Sequence, residues 1–197
     1  MATLQGFILG TAVAVRRAMK ATALLTKQHQ VIARLFKAIE AAQADDDKET
    51  LFKELASNLA AHDGIERQIF YPACKDAMGL NEILGEALVE HGVIEFSLYQ
   101  ANEALGTYAF AFKCKVLKEM VEHHVKEEEE EFFPQAEKAI SESHMEALGD
   151  EMAEAFEDAL GEDFRTPLYE SLRQVMAGVL EPTPREAKEA AKARKSA

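Results

Sequence analysis

Two stretches of the chain carry the same arrangement of metal-binding and aromatic side chains. In one, His62 is followed by Glu66, the pair Phe70-Tyr71 and Pro72; in the other, His124 is followed by Glu128, the pair Phe132-Phe133 and Pro134. The offsets from the histidine are the same in both: four to the glutamate, eight and nine to the aromatics, ten to the proline. On a helix, positions i and i+4 lie one above the other, so an imidazole and a carboxylate leave the same side and can meet one ion. Each stretch is half of a candidate metal site.

Such side chains need helices to hold them, and the apolar periodicity predicts four. From Thr22 to about Ala42, Leu25, Ile32, Phe36 and Ile39 fall in one row with His29. From about Lys48 to Tyr71, Leu51, Leu55, Leu59 and Ile69 share a face with His62 and Glu66. Asp45-Asp46-Asp47 reads as the N-cap of that helix, and Pro72 with the Met78-Gly79 turn as its end. From the N-cap Asn81 to Leu105, Leu84, Leu88 and Leu98 accompany His91 and Glu95, and Gly106 stops the helix. From about Tyr108 to Phe133, Leu117, Val121 and Phe132 accompany His124 and Glu128.

Antiparallel helices joined by a short turn bring together residues equidistant from that turn. The midpoint of His29 and His62 falls on Asp45-Asp46, that of His62 and His91 on Asp76-Ala77, and that of His91 and His124 beside Gly106. All three lie at or near predicted turns, so the four histidines are expected at one level. The same register sets Cys74 and Cys114 at opposite ends of the bundle, roughly 33 Å apart at 1.5 Å per residue, which excludes a disulfide between them.

Four imidazoles and the carboxylates of Glu66 and Glu128 facing an apolar interior would cost several kcal/mol for each unpaired charge. A pair of divalent cations removes that cost. Histidine and glutamate without cysteine suit iron, manganese or zinc, and two glutamates on separate helices can each bridge two metals between terminal imidazoles. Glu95, four after His91, could ligate, donate an outer contact or only reach the mouth of the bundle. His123 is turned about 100° from the metal side and reads as an outer partner or a surface residue; His144 reads as solvated. Of the run Glu127 to Glu131, only Glu128 shares the side of His124. The aromatic pairs read as core closure, with Tyr71 and Tyr99 as the aromatics able to approach the metals.

Composition sets the frame. A chain of 197 residues with 48% hydrophobic content, five prolines, ten glycines and no tryptophan points to one all-α domain with appendages. A formal charge of -13 argues against nucleic acid or an anionic membrane as partner. The apolar run from Phe7 to Val15 is too short to span a bilayer, and no basic residue precedes it. It reads as a short helix packed on the bundle or a frayed end, the alternative being a segment on a membrane or partner surface, since Arg16, Arg17 and Lys20 follow. A cytoplasmic location is expected.

Beyond Pro134 the helix is expected to reach Ile140. Ser143 and Glu146 read as a capping box for a fifth helix with the row Met145, Leu148, Met152, Phe156 and Leu160, and a sixth runs from about Thr166 to Leu180. The predicted fold is an up-down-up-down four-helix bundle with additional C-terminal helices. Its divisions are an N-terminal extension (1–20), the bundle (21–140), accessory helices (141–181) and a basic tail (182–197) expected to be exposed or disordered.

His29, His62-x3-Glu66, His91 and His124-x3-Glu128, with the Phe-Tyr-Pro and Phe-Phe-Pro closures, resemble the haemerythrin-like family with its HHE cation-binding domain, over about Ala21 to Ile140. The resemblance implies a non-haem di-iron centre, with two iron ions bridged by carboxylates and an oxo or hydroxo group. Ferritin-like proteins differ, because they use Glu-x-x-His. Oxygen-carrying haemerythrins have a fifth histidine where this chain has Glu95, and an aspartate five after the last histidine where this chain has Glu128 at four. An extra carboxylate favours oxidised metal, so simple oxygen transport is not the expected role. The resemblance implies binding or sensing of dioxygen or a related small oxidant such as nitric oxide or peroxide. The alternatives are a di-iron redox enzyme (peroxide dismutation or iron-donating cluster repair) and iron storage.

Overall fold

The computed structural model describes residues 19–178, so the expectations for the N-terminal segment and the basic tail lie outside the described residues. Within them the chain is all-α, with six helices and no strand. Helix α1 is Ala21–Ala41. Helix α2 runs from Asp45–Ile65 through a π-helical turn, Glu66–Phe70, into Tyr71–Met78; α3 is Glu82–Asn102. Helix α4 runs from Phe110–Glu127 through a second π-helical turn, Glu128–Phe132, into Phe133–Ala139; α5 is Glu142–Leu160 and α6 is Arg165–Met176. Helices α1 to α4 form the up-down-up-down bundle, α5 lies against α1 and α2, and α6 lies against α3 and α2.

Three local details differ from the expectation. Asp45, Asp46 and Asp47 are the first turn of α2 rather than its cap; the N-cap position is Ala44, without a side-chain bond, and the three carboxylates act on the helix dipole instead. The cap of α5 is Ser141, whose hydroxyl accepts from the His144 N–H at 3.4 Å, so that helix starts two residues before Ser143 can cap it. Asn81 caps α3 as expected, accepting from the Leu84 N–H at 3.1 Å.

The third difference matters for the site. Pro72 does not end α2. Lacking an N–H and crowding the carbonyl four residues back, a proline inside a helix breaks the regular ladder. Here the ladder widens instead, and the Tyr71 N–H donates to the Glu66 carbonyl five residues back. Pro134 is accommodated in the same way, with the Phe133 N–H on the Glu128 carbonyl. α2 then continues to Gly79, whose φ of 74° suits glycine and closes the helix.

Two apolar clusters hold the bundle. One contains Ile32, Phe36, Phe52, Leu55, Leu59, Leu98, Phe110, Leu117 and Val121, sealed by Leu168 and Leu172 of α6. The other contains Leu25, Ile65, Phe70, Leu84, Leu88, Phe132 and Phe133, sealed by Met145, Leu148 and Met152 of α5. Each fully buried side chain of this kind contributes roughly 1.5–3 kcal/mol, so the layer between the clusters is free to be polar. Cys74 and Cys114 are free thiols, one in each cluster. α5 can approach the start of α1 only because residue 149 is glycine: a Cβ there would sit 1.8 Å from the Met19 carbonyl oxygen.

Candidate metal centre

The polar layer consists of His29, His62, Glu66, His91, Glu95, His124 and Glu128, all buried, with Glu66 at 0% and Glu128 at 1% exposure. Each histidine interrupts the apolar row of its own helix, and the four helices place them at one depth between the two clusters. Six of these side chains fall into two groups whose donor atoms lie within 4.8 Å of one another: His29, His62, Glu66, Glu128, and Glu66, His91, His124, Glu128. Glu66 and Glu128 belong to both.

Inside the layer the Nε2 atoms converge. His29 Nε2 is 3.1 Å from His62 Nε2 and 3.4 Å from Glu128 Oε2. Glu66 Oε2 is 3.1 Å from His62 Nε2 and 3.4 Å from His91 Nε2, while His124 Nε2 is 3.5 Å from Glu128 Oε2. The Tyr71 hydroxyl lies 2.6 Å from His91 Nε2 and 2.8 Å from Glu128 Oε1.

Every Nδ1 points outward onto an oxygen. His29 Nδ1 faces Glu129 Oε1 at 2.8 Å, His62 Nδ1 faces Gln28 Oε1 at 2.9 Å, His91 Nδ1 faces Asp63 Oδ1 at 2.5 Å and His124 Nδ1 faces Glu90 Oε2 at 2.8 Å. An acceptor at each Nδ1 keeps the ring proton there and leaves the Nε2 lone pair toward the interior, the tautomer a metal-ligating imidazole needs. The same tautomer makes the inner contacts untenable alone, since the His29 and His62 lone pairs face each other.

The electrostatics agree at His62 and His91, whereas at His124 burial is outweighed by Glu128 and Glu90, which hold that imidazole above its ordinary range. Burial, then the neighbouring His29, holds the His62 imidazole well below its ordinary range. Burial, then His124, brings His91 down to about 3. Burial and the facing Glu128 push the Glu66 carboxyl well up. Burial pushes Glu128 up as well, but His124, His29 and His91 outweigh it and hold that carboxyl below the usual range. Among the described residues, both Glu66 carboxylate oxygens, Glu128 Oε2 and His124 Nε2 are buried without a hydrogen-bond partner. Unpartnered buried atoms of one layer, all nitrogen or oxygen, fit metal binding rather than a satisfied polar core.

The model of the Hemerythrin HHE cation binding domain matches residues 20–136. This chain belongs to the haemerythrin HHE family. A crystal structure of a hemerythrin HHE cation binding domain-containing protein from Mycobacterium kansasii is similar to it at 26% identity, covering 78% of this chain and 99% of its own, with a TM-score of 0.67. No curated protein matches the chain. The HHE family and the buried histidine and glutamate cluster together mark a metal-binding protein.

Glu95 is not brought into either group. Its Oε2 lies 3.1 Å from Arg67 Nη1, and the same guanidinium nitrogen donates to Ser171 Oγ at 2.7 Å. Burial, then Asp63, raises the Glu95 carboxyl to about 8, against the pull of Arg67. These groups line a chamber of about 370 Å³ that also borders His62, His91 and His124, with apolar walls from Ile32, Leu59, Leu98 and Val121. His123 and His144 are exposed. Tyr99 packs on Tyr169, whereas Tyr71 is in the layer itself. The π-helical turn explains this, because the added residue brings position 71 back toward the face of Glu66.

Sequence reasoning passed over the outer acceptors Gln28, Asp63, Glu90 and Glu129. Three of the four adjoin a layer histidine in sequence: Gln28 precedes His29, Asp63 follows His62 and Glu90 precedes His91. Glu129 follows Glu128 inside a run of five glutamates, where nothing in the sequence singles it out. Among the described residues, no helix is long and apolar enough to cross a membrane.

Proposed function

We propose that this chain is a non-haem di-iron protein whose centre binds or senses dioxygen or a related small oxidant such as nitric oxide or peroxide. The observation that carries this is the donor set, four inward Nε2 atoms and two shared carboxylates in a buried layer. His29 and His62 would hold one ion, His91 and His124 the other, and Glu66 and Glu128 would bridge them. When bound, an iron pair supplies one-electron chemistry toward small oxidants. The protein's part is to keep each Nε2 unprotonated through its Nδ1 acceptor and to limit access. The chamber beside His62, His91 and His124 supports entry of a small molecule past apolar walls. The bundle over residues 21–140 is the proposed cation-binding domain, with residues 141–181 as its cover.

A redox enzyme at the same centre, turning over peroxide, is favoured by one feature. The Tyr71 hydroxyl brings a proton-bearing, oxidisable group within hydrogen-bond distance of His91 and Glu128. Stopped-flow spectroscopy on the iron-loaded protein separates the two. A stable oxygenated band that vanishes under vacuum supports binding, oxygen evolution from peroxide supports turnover, and a spectrum indifferent to dioxygen, nitric oxide and peroxide contradicts both.

A further inference from the structure

The outer groove between α3 and α4 carries a second set of donors. Glu90, His123 and Glu127 offer two oxygens and a nitrogen within 4.8 Å of one another. His123 Nε2 is 3.3 Å from Glu127 Oε1 and 3.5 Å from Glu90 Oε1. In sequence this triad is the buried set His91, His124 and Glu128 moved back by one residue on both helices. One step turns a helical side chain by about 100°. The His-x3-Glu pair of α4 therefore exists twice, once facing the buried layer and once facing the groove.

Other features separate this groove from an ordinary solvated face. It is open and acidic: Glu82 and Glu86 add to its carboxylates, and no lysine or arginine is among its lining residues. Glu90 is also fixed from behind: its Oε2 accepts from His124 Nδ1 at 2.8 Å while its Oε1 turns toward His123. One carboxylate thus touches both the buried layer and the groove.

We propose that Glu90, His123 and Glu127 form a peripheral site for an exchangeable divalent cation such as Mn²⁺, Fe²⁺ or Zn²⁺. One imidazole with carboxylates suits these ions better than Ca²⁺ or Mg²⁺, which take oxygen alone. The open groove leaves the remaining coordination positions to water. A cation there shares Glu90 with His124, one carboxylate away from the buried layer. Its three side chains are not those of the layer, which it meets through the Glu90 contact with His124.

The test uses the purified full chain, its tightly held metal counted first after gel filtration. Mn²⁺ is then titrated at neutral pH and the free ion read by its electron paramagnetic resonance signal. One exchangeable Mn²⁺ per chain is expected, lost in His123→Ala and in Glu127→Gln and retained in His144→Ala, whose ring is also exposed. Substoichiometric Mn²⁺ should broaden the ring proton signals of His123 and spare those of His144. No exchangeable ion, or one that survives His123→Ala, overturns the proposal. An exchangeable ion on a chain without tightly held metal would sink the proposed centre and leave this site standing.

Discussion

The hydroxyl of Tyr71 lies 2.6 Å from His91 Nε2, and at the matching position of the other repeat Phe133 stacks on His29 with ring centroids 5.9 Å apart. The repeats build two similar halves of one layer, and this oxygen makes them unequal. The half with His91 and His124 carries a proton-bearing group; the half with His29 and His62 carries a hydrocarbon ring.

Tyr71→Phe should therefore leave the fold and the tightly bound metal intact, because the other half already uses phenylalanine. Stability should fall by about 1 kcal/mol for the lost hydrogen bond. Peroxide turnover, if Tyr71 supplies its proton, should fall by about 10²-fold or more. Metal analysis and oxygen evolution on the same preparation check both.

His62→Ala and Glu128→Ala should lower tightly bound iron toward one or none per chain. Glu95→Gln and His123→Ala should leave it near two, since Glu95 faces Arg67 and His123 faces the outer groove. Elemental analysis after gel filtration measures all four. The reverse pattern would mean that the buried histidines and glutamates are not the ligands.

Asp63→Ala and Glu90→Ala remove the oxygens that face His91 Nδ1 and His124 Nδ1. Without them the rings can turn or change tautomer, and metal affinity should fall by about 10- to 100-fold. Competition with a chelator of known affinity gives the value, and an unchanged affinity would show that the outer acceptors do not hold the rings.

Gly149→Ala tests the packing of α5 on the start of α1. A methyl group cannot sit 1.8 Å from the Met19 carbonyl oxygen, so the helices must separate, at a cost of about 1–3 kcal/mol. Chemical denaturation measures the loss, and the tightly bound metal should be retained.

The bundle was legible because helical periodicity and turn placement are both written in the order of residues: His29, His62, His91 and His124 could be set at one depth by counting from predicted turns. Glu66 and Glu128 were legible for the same reason, at i+4. What escaped depends on pairings between helices. The Asp63 contact with His91 and the Glu90 contact with His124 cross from one helix to another, and the choice of Arg67 for Glu95 rests on where α6 brings Ser171. The place of Tyr71 depended on how Pro72 would be absorbed. A break and a widened turn are both physical answers to a missing N–H, and only the fold decides between them.

The most direct measurement is the metal content of the purified chain together with its melting temperature before and after chelation. Two tightly held irons per chain are expected, with a marked fall in melting temperature when they are removed, since binding to the folded state alone stabilises it. A cleanly folded chain that holds no metal and melts at the same temperature with or without chelator would contradict the account.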